Sequence, residues 1–281
     1  MPVSEKEGLI ETLIQLLGEK EEHLDIVGQR LVEIGPPAIP QLERVRRNGE
    51  PLLVKRAAKI IESIQYGVQD QDWAVYAQMN PAPLEEGVFL LARFSDPTLD
   101  LAPYRRQLNQ MASTLQERIS RTSLTADVIS IINRYLFQEL NFSGNTTDYY
   151  LPENSYIHTL LTHKKGIPIS LSVLVLLLAK RLSLPIYGIG MPGHFLIQWS
   201  DAHHEIYIDP FNNGRPLTRD QVKALLTKDG GTFEERYLQC ATPRQILARM
   251  MNNLIRVYQQ MDEEEKVHWL SRFQARLQSA T

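Results

Sequence analysis

Two side chains in this chain of 281 residues, His194 and Asp209, stand in a pattern that can move a proton. His194 opens a run in which Phe195, Ile197 and Trp199 alternate with His194, Leu196 and Gln198. Asp209 closes a second run in which Ile206 and Ile208 alternate with Glu205 and Tyr207. A period of two is the signal of a strand. With Ser200-Asp201-Ala202-His203 as a four-residue hairpin loop, Trp199 pairs with His204, Ile197 lies opposite Ile206, Phe195 opposite Ile208, and His194 opposite Asp209. Opposed Cβ atoms are about 4.5 to 5.5 Å apart, near enough for an imidazole N–H to reach a carboxylate. A slip of one residue would put the apolar sets on opposite faces, so the register is well specified.

Such a carboxylate fixes the imidazole tautomer and stabilises its protonated form, which is the base and orienting half of a nucleophile-base-orienter triad. A cross-strand hydrogen bond that only holds the hairpin needs the same two residues, and spacing leaves both readings open. The nucleophile would have to come from elsewhere. Gly166-Ile167-Pro168-Ile169-Ser170-Leu171 opens an apolar run to Ala179. A helix N-terminus there offers backbone N–H donors and a positive dipole end, which suit a thiolate or an oxyanion. It carries no cysteine. Ser170 lies two residues past Pro168, roughly 200° round a helix, and reads as a capping hydroxyl. Cys240, the single cysteine, sits in a separate segment with no base nearby and reads as a small packed side chain.

The elements that must position these groups follow from periodicity. Residues 4–66 read as four helices. Ser4 and Glu7 form a capping-box signature before Leu9, Leu13, Leu16 and Leu17; Gly18 ends that helix, and the fourth helix runs from Pro51 to Ile64. Residues 69–83 are a boundary candidate, with the breaker Asn80-Pro81-Ala82-Pro83. Helices follow over 84–94, 104–121 and 125–140, the last capped by Thr125. The stretch 141–152 is polar and aromatic, with a turn at Ser143-Gly144-Asn145, and has a length at which functional loops begin to be common. Asn154 and Ser155 read as a helix cap facing the cleft. Thr218 caps a helix to Leu226, Gly230-Gly231 breaks the chain, and two helices beginning at 243–244 and 262 form a C-terminal αα-hairpin. There Leu247, Met250, Met251, Leu254 and Val257 read as core.

Composition bounds the rest. A hydrophobic content of 43% and a net charge of -3 describe a soluble globular chain with no global electrostatic case for nucleic acid or an anionic membrane. The cluster Arg44, Arg46, Arg47, Lys55, Arg56 and Lys59 reads as a solvated helix face. The start lacks a secretory pattern, and one cysteine excludes an intramolecular disulfide and fits a reducing compartment. The apolar run from Ile167 to Ala179 is shorter than the ~20 residues of a spanning helix. His203 and His204 point apart, His158 and His163 are off one helical face, and no phosphate or dinucleotide motif occurs, so no metal and no cofactor is expected.

The motifs Asp148-Tyr149-Tyr150, Pro152-Glu153-Asn154-Ser155-Tyr156, Gly166-Ile167-Pro168-Ile169-Ser170-Leu171, Pro192-Gly193-His194-Phe195-Leu196 and Ile208-Asp209-Pro210-Phe211 with Gly214 resemble the SirB-type branch of the transglutaminase-like superfamily. The resemblance extends over roughly residues 84–226. It implies an α+β fold, mainly helical, with a papain-like core in which a buried helix packs on a small antiparallel sheet, in a bacterial cytoplasmic protein. By that likeness His194 and Asp209 fall on the catalytic His and Asp positions. Counting back from Leu184-Pro185, the catalytic cysteine position falls on Pro168, and the thiol is absent. Leu31 to Leu42 with Gly35-Pro36-Pro37 resembles the turn of a HEAT-type repeat. The expected organisation is a HEAT-like segment over 1–67, a transglutaminase-like domain over 68–235 and the C-terminal hairpin over 236–281.

The expectation for function is a fold that has lost its nucleophile and serves as a protein- or peptide-binding or regulatory module. Its cleft would be formed by Asn154, Ser155, Gly166, Pro168, Gly193 and Phe211. Two readings stand beside it: a hydrolase of esters or amides in which His194 and Asp209 activate water or Ser170, and a structural domain whose N-terminal helices are the interaction surface. The oligomeric state is not legible.

Overall fold

The computed structural model describes residues 3–18, 24–119, 124–227 and 232–278. The Gly230-Gly231 break and the side chain of Ser4 lie outside the described residues. The chain divides into two compact units, Met1–Asp72 and Trp73–Thr281.

In the first unit, helices α1 (Val3–Leu16), α2 (Leu24–Ile34) and α3 (Ile39–Asn48) and the first part of α4 (Pro51–Gln78) share one apolar core. Ile10, Leu13 and Leu17 of the first segment pack with Leu31, Leu42, Ala57 and Ile61. Leu16, expected on that face, is 40% exposed, because Ile10 takes the inward position. Helix α4 does not stop at Ile64. It runs on to Gln78, since Trp73, Tyr76 and Ala77 continue its buried stripe, and only then does the Asn80-Pro81 breaker end it.

The second unit is α+β and mainly helical. Helices α5 (Leu84–Ser95), α6 (Ala102–Arg118) and α7 (Thr125–Asn133) lead to a widened π-type turn over Arg134–Glu139. Thr125 does not cap α7, whose N-cap position is Leu124. Strand β1 (Ser143–Gly144), in place of the expected turn, pairs in parallel with β2 (Lys165–Gly166). Between them lie a short 3-10 turn over Pro152–Ser155 and helix α8 (Ile157–His163). The 14-residue helix α9 (Pro168–Arg181) comes next, and it is buried from Pro168 to Ala179. A helix apolar on all sides has no solvent face to offer, which is why it sits at the centre of the unit. It packs on the strands β3 (Ile186–Met191) and β4 (His194–Ser200). With β5 (Glu205–Asp209) and β6 (Arg215–Leu217) these form an antiparallel sheet in the order β3-β4-β5-β6.

The hairpin register differs from the expected one by two residues. Ile197 pairs with Ile208, Trp199 with Ile206 and Ser200 with Glu205, so the loop is Asp201-Ala202-His203-His204. The carboxylate of Asp201 decides this. Oδ1 accepts the N–H groups of His203 and His204 at 2.8 Å each, and Oδ2 accepts the indole N–H of Trp199 at 2.6 Å, closing the turn one residue later on each strand. A shift of two keeps every side chain on its expected face. On one face Ile189, Met191, Leu196, Tyr207 and Leu217 form a core with Val222 of helix α10 (Arg219–Thr227) and with Leu238. Thr218 caps α10 as expected, its hydroxyl accepting from the Gln221 N–H and its own N–H donating to the Gln221 side chain.

Helices α11 (Pro243–Gln260) and α12 (Glu264–Gln278) form the αα-hairpin, and α11 packs on α5, α9 and the Pro152–Ser155 turn. Thr242 and Gln245 make a capping box at its start. Leu247, Met250, Met251, Leu254 and Val257 are core side chains. Among the described residues no helix is long and apolar enough to cross a membrane.

Candidate functional site

Helix α9, the β3–β4 turn and helix α11 meet around one cavity of about 420 Å³, within the range of ligand sites. His194 reaches it from the first position of β4. The turn before it is Pro192-Gly193, with Gly193 at φ 72°, the positive value a type II turn requires at its second central residue. Met191 pairs with His194 across that turn. Arg249 of α11 braces it from below, donating to the carbonyls of Met191 and His194, the latter at 2.8 Å.

Asp209 does not lie opposite His194. With Ile197 facing Ile208, the residue opposite Asp209 is Leu196, and His194 is the diagonal neighbour. Diagonal side chains remain within reach when one is long. The His194 Nε2–H donates to Asp209 Oδ2 over 2.9 Å, with the His194 side chain 23% exposed and that of Asp209 4%. The carboxylate is fully occupied. Oδ1 accepts from the backbone N–H groups of Phe211 and Asn212, and Oδ2 also accepts the Asn212 side-chain amide at 2.7 Å. Burial works to raise the Asp209 carboxyl pKa, but the His194 hydrogen bond and charge, with the Asn212 contacts, outweigh it and hold the group below its ordinary value. With Nε2 committed to Asp209, Nδ1 is the ring nitrogen left for other chemistry.

Pro168 lines the cavity at the first turn of α9, together with Ile167 and Ile169. Ser170 does not. Its hydroxyl is fully buried, accepts the Ile167 N–H at 3.0 Å and donates to the Asn154 carbonyl at 2.6 Å. It closes the helix start and ties it to the Pro152–Ser155 turn. Cys240, expected to be packed, is exposed beside β3, its Sγ 3.7 Å from Gln198 Oε1, and burial of its surroundings pushes its pKa up. It is poorly placed and poorly activated as a nucleophile.

Of the expected cleft residues, Ser155, Pro168 and Gly193 line the cavity with His194. Gly166 lies beneath it, where a Cβ would come within 2.6 Å of Ser170 Oγ. Phe211 lies outside the cavity wall and packs over Gly144, with its ring 6.1 Å from that of Tyr149. Asn154 caps no helix. Its amide donates to the carbonyls of Asp148 and Tyr149 at 2.6 and 3.1 Å and its oxygen accepts from Asn145 at 3.0 Å, so it holds the loop that carries Tyr149 and Tyr150. Those two tyrosines and Leu151 rim the cavity.

Sequence reasoning missed the opposite wall. Arg249, Asn252, Asn253 and Arg256 of α11 all line it, at the i, i+3, i+4, i+7 spacing of one helical face. The signal was present as a polar stripe, but the apolar stripe beside it was the one that fixed the helix. Burial, then the nearby Arg256 charge, lowers the Arg249 pKa. Among the described residues no cluster of His, Cys, Asp or Glu is placed to hold a metal ion.

Residues 102–252 match the transglutaminase-like superfamily. The chain is 34% identical over 190 residues to a UPF0162 protein of Xylella fastidiosa, covering 66% of this chain and 68% of that one. It is 33% identical over 123 residues to a UPF0162 protein of Vibrio cholerae, covering 42% and 45%. It is also 33% identical over 145 residues to human F-box only protein 21, where the match covers 49% of this chain and 23% of the relative. No solved structure matches.

Proposed function

We propose that this chain, which belongs to the transglutaminase-like superfamily, is a member without a nucleophile that uses its cavity to bind a peptide segment of another protein. One observation carries the reading: Pro168 stands on the cavity wall at the helix start where the resemblance to the SirB-type branch puts the thiol. Proline supplies neither a nucleophile nor the N–H donor of that position. The hydroxyl nearest in sequence, Ser170, is buried and committed. What is left is an oriented imidazole in a cleft rimmed by Tyr149, Tyr150 and Leu151, surfaces suited to holding an extended chain. A bacterial cytoplasmic setting and HEAT-like ancestry for residues 1–67 belong to the same proposal, the first resting on the resemblance to the SirB-type branch and the second on the Gly35-Pro36-Pro37 turn.

The rival is a hydrolase in which His194 activates water. It is favoured by the one feature a pure binding cleft does not need, the Nδ1 atom of His194, which has no partner among the described residues. A screen of ester and amide substrates with the wild-type chain and His194→Ala separates the two. The binding reading expects no turnover that depends on His194; turnover lost in His194→Ala would replace it with the hydrolase.

A further inference from the structure

We infer that the cavity selects a peptide segment bearing Asp or Glu side chains, an inference that rests on the peptide-binding reading and adds the chemistry of the ligand. The chain as a whole is acidic, with a net charge of -3. The cavity is the reverse. Its lining contains Arg249, Arg256 and His194 and not one carboxylate. Helix α11 as a whole, PRQILARMMNNLIRVYQQ, has three arginines and no acidic residue.

The two guanidiniums are placed as an unneutralised pair. Arg249 is turned to the carbonyls of Met191 and His194, which accept hydrogen bonds but carry no net charge. Arg256, two helical turns further along the same face, is exposed and makes no ion pair or hydrogen bond among the described residues. The mutual proximity of these cations works against the charge on Arg249, in accord with its lowered pKa. A bound carboxylate would relieve that repulsion, and arginine is the side chain whose planar fork matches it. Between the arginines Asn252 and Asn253 offer amide donors and acceptors for a backbone.

The remainder of the site points to a peptide more than to a bare anion. Tyr150 is 67% exposed and Leu151 47% exposed on the facing rim, an apolar surface of no use to a small ion but well placed for a bulky side chain next to the acidic one. The acidity of the whole molecule argues against a polyanion such as nucleic acid, whose long-range repulsion would offset two local cations.

The test uses the full chain and a bead-bound library of blocked hexapeptides, randomised at each position, so that any carboxylate comes from a side chain. Wild type should retain peptides enriched in Asp or Glu beside an aromatic or aliphatic residue, and a soluble Glu-containing winner should bind roughly tenfold or more tightly than its Gln counterpart. Arg256→Glu should abolish or invert the acidic selection, Arg256→Lys should keep most of it, and both should retain the wild-type circular dichroism spectrum because the side chain is exposed. Retention that depends on Tyr150 but is indifferent to peptide charge would overturn the acidic selection and leave the binding reading standing. Retention of no peptide in a manner sensitive to Tyr150→Ala or Arg256→Glu would sink both.

Discussion

His194 and Asp209 are joined across β4 and β5 as diagonal neighbours, with 2.9 Å between Nε2 and Oδ2. The geometry leaves the carboxylate buried, with Asn212 and two backbone N–H groups completing its shell, and leaves the imidazole on the cavity wall. Each of these contacts implies a measurable consequence.

The amide in Asp209→Asn cannot accept at Oδ2 as the carboxylate does, and it presents a donor to the Asn212 amide. The loss of charge-assisted hydrogen bonds at a site 3% exposed should lower stability by roughly 1 to 3 kcal/mol. A denaturant midpoint equal to that of wild type would show that the pair does not hold the hairpin.

The same carboxylate should make the unit acid-sensitive. Its folded pKa lies below the ordinary value of 3.8, so the folded state holds the proton less tightly than the unfolded one. Its contribution is fully present above that ordinary value and is lost as pH falls through the lower folded value. Titrating urea midpoints downward from pH 6 should show a decline in wild type that is shallower in Asp209→Asn. Parallel curves would contradict this assignment.

Ser170→Ala removes a fully buried hydroxyl and strands the Ile167 N–H and the Asn154 carbonyl, at a cost of about 1 to 3 kcal/mol. Peptide retention by the folded variant should be unchanged, because the hydroxyl does not face the cavity. A variant of wild-type stability that loses a function would return Ser170 to the site.

Gly214 has φ 72°, and a Cβ there would lie 2.0 Å from Asn133 Oδ1, whose amide donates to the Gly214 carbonyl. Gly214→Ala should destabilise by roughly 1 to 3 kcal/mol from backbone conformation alone, with the clash in addition. Measured in an Asn133→Gly background, where the clash is gone and the lost hydrogen bond to the Gly214 carbonyl is common to both chains, Gly214→Ala should still cost the conformational part. No cost of Gly214→Ala in that background would mean that the positive φ costs nothing.

Much of this was legible in the sequence because local rules and tertiary demands agree there. The period-two runs around His194 and Asp209, the apolar run of α9 and the Thr218 cap are each written in adjacent residues. The hairpin register was legible only to within two residues. Face alternation is blind to a shift of two, and the choice falls to Asp201, whose carboxylate gathers two backbone N–H groups and an indole. The role of Asn154 was hidden for another reason. A residue that looks like a cap from its neighbours instead bonds to Asp148, Tyr149 and Asn145, a loop whose path the sequence does not give. The arginine wall was out of view because nothing in the sequence says that α11 returns to the mouth of α9. Membership in the superfamily, by contrast, was carried by short motifs, of which those around Tyr149, Ser155, Pro168 and His194 line the cavity while the Asp209 motif stands behind His194.

The central claim is that the cavity holds a superfamily site complete except for its nucleophile, with Pro168 in the nucleophile's place. The most direct test installs the thiol: Pro168→Cys in a Cys240→Ser background, so that the new cysteine is the only one, with alkylation by iodoacetamide followed against pH. The account expects a reactive thiolate whose pKa falls well below the ordinary value of about 8.5, and which returns toward that value when His194→Ala is added. A thiol that titrates at the ordinary value, with or without His194, would contradict it.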